Sequence, residues 1–268
     1  MRAVVVVLVA LSLSACTGHS ATESARVEPL PTTGRVDYQL GGAWTPPDDV
    51  TVVVRDSTDP ALPGVYSICY LNAFQTQPQQ ADFWKDNHPD LLLTDGGEPL
   101  TDPGWPDEMA LDTSTSAKRA HLASIIGEWI RGCHDDGFQA VEFDNLDSYS
   151  RFEGLEQDDN VALATALVDQ AHALGLAAGQ KNTADLGSRG RDEIGFDFVI
   201  SEECFEYDEC SAFASVYGDQ FIDVEYLEGS PSDPALCSAP DVPLLTIVRD
   251  RELLPGDDPD SVFWSCRI

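Results

Sequence analysis

Basic residues are scarce in this chain. Its 268 residues include 15 lysines and arginines against 47 aspartates and glutamates, a formal net charge of −32. Nucleic-acid binding needs a basic face that displaces counterions, so this composition argues against it. Zinc-type spacings are missing as well: no C-x-x-C and no H-x-x-x-H occurs, which argues against a structural zinc. Neither a G-x-G-x-x-G turn nor a P-loop is present, so nucleotide phosphates have no cradle. There is no G-x-S-x-G elbow, and His19, His88, His121, His134 and His172 lie away from the strand ends. Ser–His catalysis is therefore disfavoured. The one long apolar run, residues 4–13, is too short to span a bilayer.

That run reads as an address. Arg2 precedes it, and Leu13-Ser14-Ala15-Cys16 follows in the manner of a bacterial lipobox, with Cys16 as the lipidated residue. An ordinary signal peptide is the alternative, and both mean export, to the outer face of the cell membrane or into the medium. Residues 1–15 are then the signal peptide. Residues 16–34 are polar, carry Pro29, Pro31 and Gly34, and read as a flexible tether. The membrane is met only through the lipid on Cys16, and the chain is expected to be a monomer. Export makes disulfides available to the six remaining cysteines. Cys204 and Cys210 flank a short acidic loop and are expected to pair, and Cys69, Cys133, Cys237 and Cys266 are left for two more bridges. Spacing alone does not set their connectivity.

Residues 35–268 alternate short apolar runs with connections. Strands are expected at 37–40, 50–55, 66–71, 91–94, 140–143, 177–180, 196–200, 221–225 and 244–248. Most are continuously apolar, as parallel strands covered on both faces are. Leu122, Ile125, Ile126, Trp129, Ile130 and Cys133 share one face of a helix that Ser114 or Thr115 can cap. A second helix spans 158–175, and a weaker one 211–217. Repeated strand–helix units over this length predict an α/β fold, a single (β/α)8 TIM barrel, with an open doubly wound sheet as the alternative.

Polar residues gather where these strands end. Asp56, Tyr70, Asn72, Asp144, Asn145, Lys181, Asn182, Glu202, Glu203, Glu225, Tyr226 and Arg249 would ring one mouth of a barrel. The densest run is Ala140-Val141-Glu142-Phe143-Asp144-Asn145-Leu146-Asp147-Ser148, an apolar strand ending in carboxylates. Adjacent carboxylates repel, and catalysis is the usual reason for tolerating that. A divalent metal would use such oxygens, but no EF-hand-like loop gathers them, and neither metal nor cofactor is expected. Glycoside hydrolysis fits: one carboxyl donates a proton and another acts as nucleophile or base. Trp44, Trp84, Trp105, Tyr70 and Tyr226 offer faces for sugar rings.

Several motifs occur in order: Asp37-Tyr38-Gln39-Leu40-Gly41-Gly42, then residues 66–74, then Val141-Glu142-Phe143-Asp144-Asn145, then Gln180-Lys181-Asn182. They continue with Phe196-Asp197-Phe198, Ser201-Glu202-Glu203-Cys204, Tyr207-Asp208-Glu209-Cys210 and Val224-Glu225-Tyr226. The series resembles the endo-α-1,4-polygalactosaminidase family of glycoside hydrolases (family 114). The resemblance implies a (β/α)8 barrel that cleaves internal α-1,4 bonds of galactosamine-containing polymers. It also implies a catalytic pair matching Asp144 and Glu202. Family members often have Asn where Ser201 stands and Gln where Glu203 stands, and in a regular strand only one of Glu202 and Glu203 faces the barrel axis. The implied partner is a cationic galactosamine polysaccharide. Asp56, Asp147, Glu203 and Glu225 would meet its ammonium groups, and Lys181 would hold neighbouring acids ionised, bind a hydroxyl or pair with Glu142. Tyr70, Asn72, Asn145, Asn182, Tyr226 and Trp44 complete the expected substrate surface. A non-catalytic carbohydrate-binding lipoprotein is the competing reading, and a Ca²⁺-dependent module a third.

Overall fold

Side chains alternate in direction along continuously apolar runs, so the barrel strands have two buried faces, and that pattern builds the core of this molecule. The computed structural model describes residues 26–226 and 234–267. Strands β1 (Arg35–Gln39), β2 (Val50–Asp56) and β3 (Tyr66–Asn72) run parallel in chain order. A short antiparallel hairpin follows, β4 (Thr94–Asp95) with β5 (Glu98–Pro99). The parallel series resumes with β6 (Ala140–Asp144), β7 (Ala177–Lys181), β8 (Phe198–Glu202), β9 (Phe221–Tyr226) and β10 (Leu245–Arg249). A last strand, β11 (Phe263–Ser265), adds antiparallel to β10. The sheet order is β1-β2-β3-β6-β7-β8-β9-β10-β11.

Eight of these strands form a nearly closed (β/α)8 barrel. The seam lies between β10 and β1, where Arg249 does the joining. Its guanidinium donates to Asp37 Oδ1 at 3.0 Å and to the Tyr38 carbonyl, with Arg249 and Asp37 both fully buried. A buried charge of this kind is tolerable only because it is paired and hydrogen-bonded. The helices are α1 (Ala81–Asn87), α2 (Ser116–Asp135), α3 (Ser148–Arg151), α4 (Gln157–Ala173), α5 (Cys210–Tyr217) and α6 (Pro234–Ser238). Thr115 caps α2, its Oγ1 accepting from the Lys118 amide. Leu122, Ile126, Ile130 and Cys133 turn that helix toward the barrel. No helix among the described residues is long and apolar enough to cross a membrane.

Two layers of core follow from strand alternation. Tyr38, Val52, Val54, Ile68, Ala140, Ala177, Ile200, Val224 and Ile247 fill the barrel. Cys69, Leu71, Val141, Phe143, Ala178 and Val199 face the helices. Gly179 keeps the interior open to Phe198, whose ring would lie 2.4 Å from an added Cβ. Three disulfides form: Cys69–Cys133, Cys204–Cys210 and Cys237–Cys266. The first pins β3 to α2, and the second closes the loop after β8.

Two expectations change. Residues 91–94 do not form a barrel strand: Pro89 starts a 3-10 turn at Pro89–Leu91, and Gly96 and Gly97, both at positive φ, fold the following residues into the β4–β5 hairpin. The described part of the tether, residues 26–34, lies on the barrel rather than free of it. Leu30 is 2% exposed within the inner apolar cluster, and its carbonyl accepts from Gln220. Cys16 and the leader before it fall outside the described residues.

Candidate active site

The inward alternation carries the site to the carboxyl ends of the strands. On β6 the positions inward with Ala140 are Glu142 and Asp144, and on β7, with Ala177, they are Gly179 and Lys181. On β8 the inward position after Ile200 is Glu202, and on β9 the one after Val224 is Tyr226. The last inward residues of β3, β6, β7, β8 and β9 therefore meet at one mouth. They line a cleft of about 530 Å³, a volume suited to a small ligand.

Lys181 stands at its centre, 2% exposed, with its ammonium 3.1 Å from Asp144 Oδ2 and 3.1 Å from Glu202 Oε2. Glu142 lies one layer deeper, fully buried, its Oε1 3.9 Å from Lys181 Nζ and accepting from the Tyr38 hydroxyl at 3.0 Å. Burial pushes the Glu142 carboxyl up to about 8, against the pull of Lys181, and the Asp144 charge adds to the rise. Burial would also raise Asp144, but Lys181, the Asn145 amide at 2.6 Å and the Tyr70 hydroxyl at 2.8 Å outweigh it. They hold the carboxyl below its ordinary range. For Lys181, burial favours the neutral amine, and the three surrounding carboxylates overcome it and hold the ammonium charged. Glu202 accepts from the Tyr226 hydroxyl, from Asn182 Nδ2 at 3.4 Å and from Lys181.

Local backbone strain sets these ends. The residue following each of β6, β7 and β8 has positive φ: Asn145 at 61°, Asn182 at 44° and Glu203 at 59°. Asparagine tolerates that region better than most residues, whereas glutamate adopts it at a cost. Because the chain turns at Glu203, strand alternation is broken there, and Glu202 and Glu203 both line the cleft. Glu203 pairs with Arg251 at 2.8 Å.

The other expected residues divide into those lining the cleft and those behind it. Asp56, Tyr70, Asn145, Asp147, Lys181, Asn182 and Tyr226 line it. Asp56 accepts from Gln77 Nε2 and from Thr58, and Asp147 pairs with Arg151 at 2.6 Å. Asn72 is buried behind the wall, donating to Glu108 Oε2 at 2.8 Å and accepting from Asn145 Nδ2 at 3.0 Å. Glu225 does not reach the mouth: it shares the outward parity of Asp223 and accepts from the Phe205 amide at 2.7 Å, bracing the disulfide loop. Trp44 lies off the cleft and packs edge-on to Phe263 at 6.3 Å, because the barrel's C-terminal segment covers that loop. Trp84 is fully buried against Trp129, and Trp105 stands at the rim, 63% exposed.

Residues not singled out by sequence also line the cleft: Gln77, Asp102, Glu108, Arg151 and Arg251. All five lie outside the barrel strands, and nothing in their local pattern marks them. Among the described residues, the one His/Cys/Asp/Glu group with metal-like spacing is Cys204, Cys210 and Asp223. Both of its sulfurs are engaged in the disulfide, so it fits no ion.

The chemistry available is that of two close carboxylates bridged by one ammonium, with tyrosine hydroxyls on each. Comparison with known proteins gives the family. The model of glycoside-hydrolase family GH114 matches residues 17–268. No curated protein matches the chain. Among solved structures the fold resembles Aspergillus fumigatus Ega3 in complex with galactosamine, at a TM-score of 0.69 and 20% identity, covering 85% of this chain and 95% of that one. It also resembles the glycoside hydrolase domain of PelA from Pseudomonas aeruginosa, at a TM-score of 0.57 and 14% identity, covering 85% of this chain and 97% of that one. At these identities the likeness is one of fold. The family match spans nearly the whole chain: the protein belongs to glycoside-hydrolase family GH114, and it is a glycosidase.

Proposed function

We propose that this glycosidase acts within a cationic galactosamine polysaccharide, cleaving α-1,4 bonds with Asp144 and Glu202 as its catalytic pair. The observation that carries this reading is the shared ammonium of Lys181, 3.1 Å from each carboxylate. Asp144, held ionised by Lys181, Tyr70 and the Asn145 amide, is the nucleophile. Glu202, the more exposed of the two, protonates the glycosidic oxygen as that bond breaks. A glycosyl ester on Asp144 results. Water then attacks the anomeric carbon, giving its proton to Glu202 and freeing Asp144.

Lys181 also bounds the separation. Two oxygens each 3.1 Å from one nitrogen lie no more than about 6.2 Å apart, a limit that admits the roughly 5–5.5 Å spacing of a retaining pair. The reading adopted is retention, with the α-anomer as the first product. The substrate class is supported by the galactosamine in the Ega3 complex and by an acidic cleft that suits protonated amines. Three disulfides support an exported setting, with Cys16 as lipid anchor.

Asp144→Asn and Glu202→Gln are each expected to stop the shortening of a galactosamine polymer while thermal unfolding stays cooperative. Near-wild-type turnover in either variant would overturn the pair. Proton NMR of the first product separates retention from inversion, and an initial β-anomer would refute retention. Cys16→Ser is expected to move the protein from the membrane fraction to the soluble one.

A further inference from the structure

The cleft holds three cations, Arg151, Lys181 and Arg251, and each lies against at least one carboxylate. Glu108 is different. It lines the cleft, accepts one hydrogen bond from Asn72 Nδ2 at 2.8 Å, and forms no ion pair among the described residues. Burial pushes its carboxyl up to about 7 against the pull of the Asn72 hydrogen bond, with the Asp144 and Asp102 charges adding to the rise and Arg151 opposing it more weakly.

Glu108 shares a turn with Trp105. The Glu108 amide donates to the Trp105 carbonyl at 2.9 Å. Asp102 braces the turn: its Oδ1 accepts from the Gly104 amide at 2.8 Å, and its Oδ2 accepts from Gln75 at 2.8 Å and Arg151 at 2.9 Å. The Asp102 amide also donates to the Glu108 carbonyl at 2.9 Å. A large exposed indole is thus fixed beside the cleft, where a flexible loop would leave it to collapse. An indole face binds the C–H face of a pyranose ring, and a carboxylate binds an ammonium.

We infer that the Trp105–Glu108 turn is an amino-sugar subsite, in which Trp105 stacks on one ring and Glu108 takes the ammonium of that ring or its neighbour. The inference rests on the galactosamine reading above and assigns its charge selectivity to Glu108. Arrival of an ammonium favours the ionised carboxylate, so binding near pH 7 releases a proton from Glu108.

The test is calorimetric. A galactosamine oligosaccharide and its fully N-acetylated counterpart are titrated into the full chain carrying Glu202→Gln, in two buffers of different ionisation enthalpy at pH 7. Glu108→Gln is expected to weaken the galactosamine oligomer about tenfold or more, the effect of losing one charged hydrogen bond. It is expected to change the acetylated oligomer less than about twofold and to abolish proton release. Trp105→Ala is expected to weaken both ligands alike, by about threefold to tenfold. Equal losses for both ligands in Glu108→Gln, or unchanged proton release, would overturn the assignment while leaving the substrate reading intact. No binding of the galactosamine oligomer in the Glu202→Gln background, together with no cleavage by the wild-type chain, would overturn both.

Discussion

Lys181 is the residue on which the site depends. Its ammonium lies among three carboxyl groups, and without it the burial of Asp144 would favour a proton on that carboxyl. Lys181→Met is expected to lower kcat by at least about 100-fold, the scale of losing a buried charged partner. A pH–rate profile checks the cause, since the acid limb moves up in pH if Asp144 has lost its ionising partner. Glu142 gives the complementary prediction. In the fold its carboxyl is raised to about 8 from an ordinary 4.5. The native state thus holds this proton more tightly than the unfolded chain does. The stabilisation is complete below 4.5, is lost progressively as pH rises toward 8, and stays lost above it. Each tenfold change in proton affinity is worth roughly 1.4 kcal/mol. Glu142→Gln keeps the neutral shape and cannot ionise, so chemical denaturation should show its stability gaining on wild type between pH 5 and about 8. Activity above about pH 8 should persist in the variant, because no new charge forms beneath Lys181.

At the scale of elements, the strand ends that line the cleft are held by features behind them. The Cys204–Cys210 bridge, Asp223 and Glu225 fasten the loop that follows Glu202. The Cys69–Cys133 bridge closes a longer loop, with a sequence separation of 64. Replacing both of its cysteines with alanine is expected to cost about 2–4 kcal/mol, read by urea denaturation. Gly179→Ala would drive a methyl into Phe198 inside the barrel, at an expected cost of about 1–3 kcal/mol. These elements were legible to unequal degrees. Strands β6 to β10 and helices α2 and α4 announce themselves by apolar runs and by one-faced spacing. Residues 91–94 read as a strand because Leu91, Leu92 and Leu93 are apolar, yet Leu91 and Leu92 pack into the core outside the barrel and the Leu93 amide donates to the Ala110 carbonyl, so the segment does not join the barrel sheet. Glu225 sits at a strand end like Glu202 but has the opposite parity. Counting in twos along β9 from an inward residue separates them, and choosing that residue requires knowing which face is inside.

Over the whole molecule the acid excess acts at long range. With a net charge of −32, the surface attracts a polycation through an interaction that salt screens over about 8 Å at physiological ionic strength. Affinity for a deacetylated polymer should therefore fall several-fold between 50 mM and 500 mM NaCl, while a fully acetylated polymer should bind with little salt dependence. Equal salt slopes for the two would remove the steering role. The sequence by itself determined the fold class and the seats of Asp144, Lys181 and Glu202 at the strand ends. Periodicity and composition report local packing and charge, and strand ends of this barrel share one face. Tertiary structure alone decided that one ammonium joins Asp144 and Glu202, that Glu203 turns into the cleft, and that Glu108, Arg151 and Arg251 line it. Those contacts join residues distant in the chain, and which of them meet depends on the turn at each strand end and on how the loops pack over the mouth.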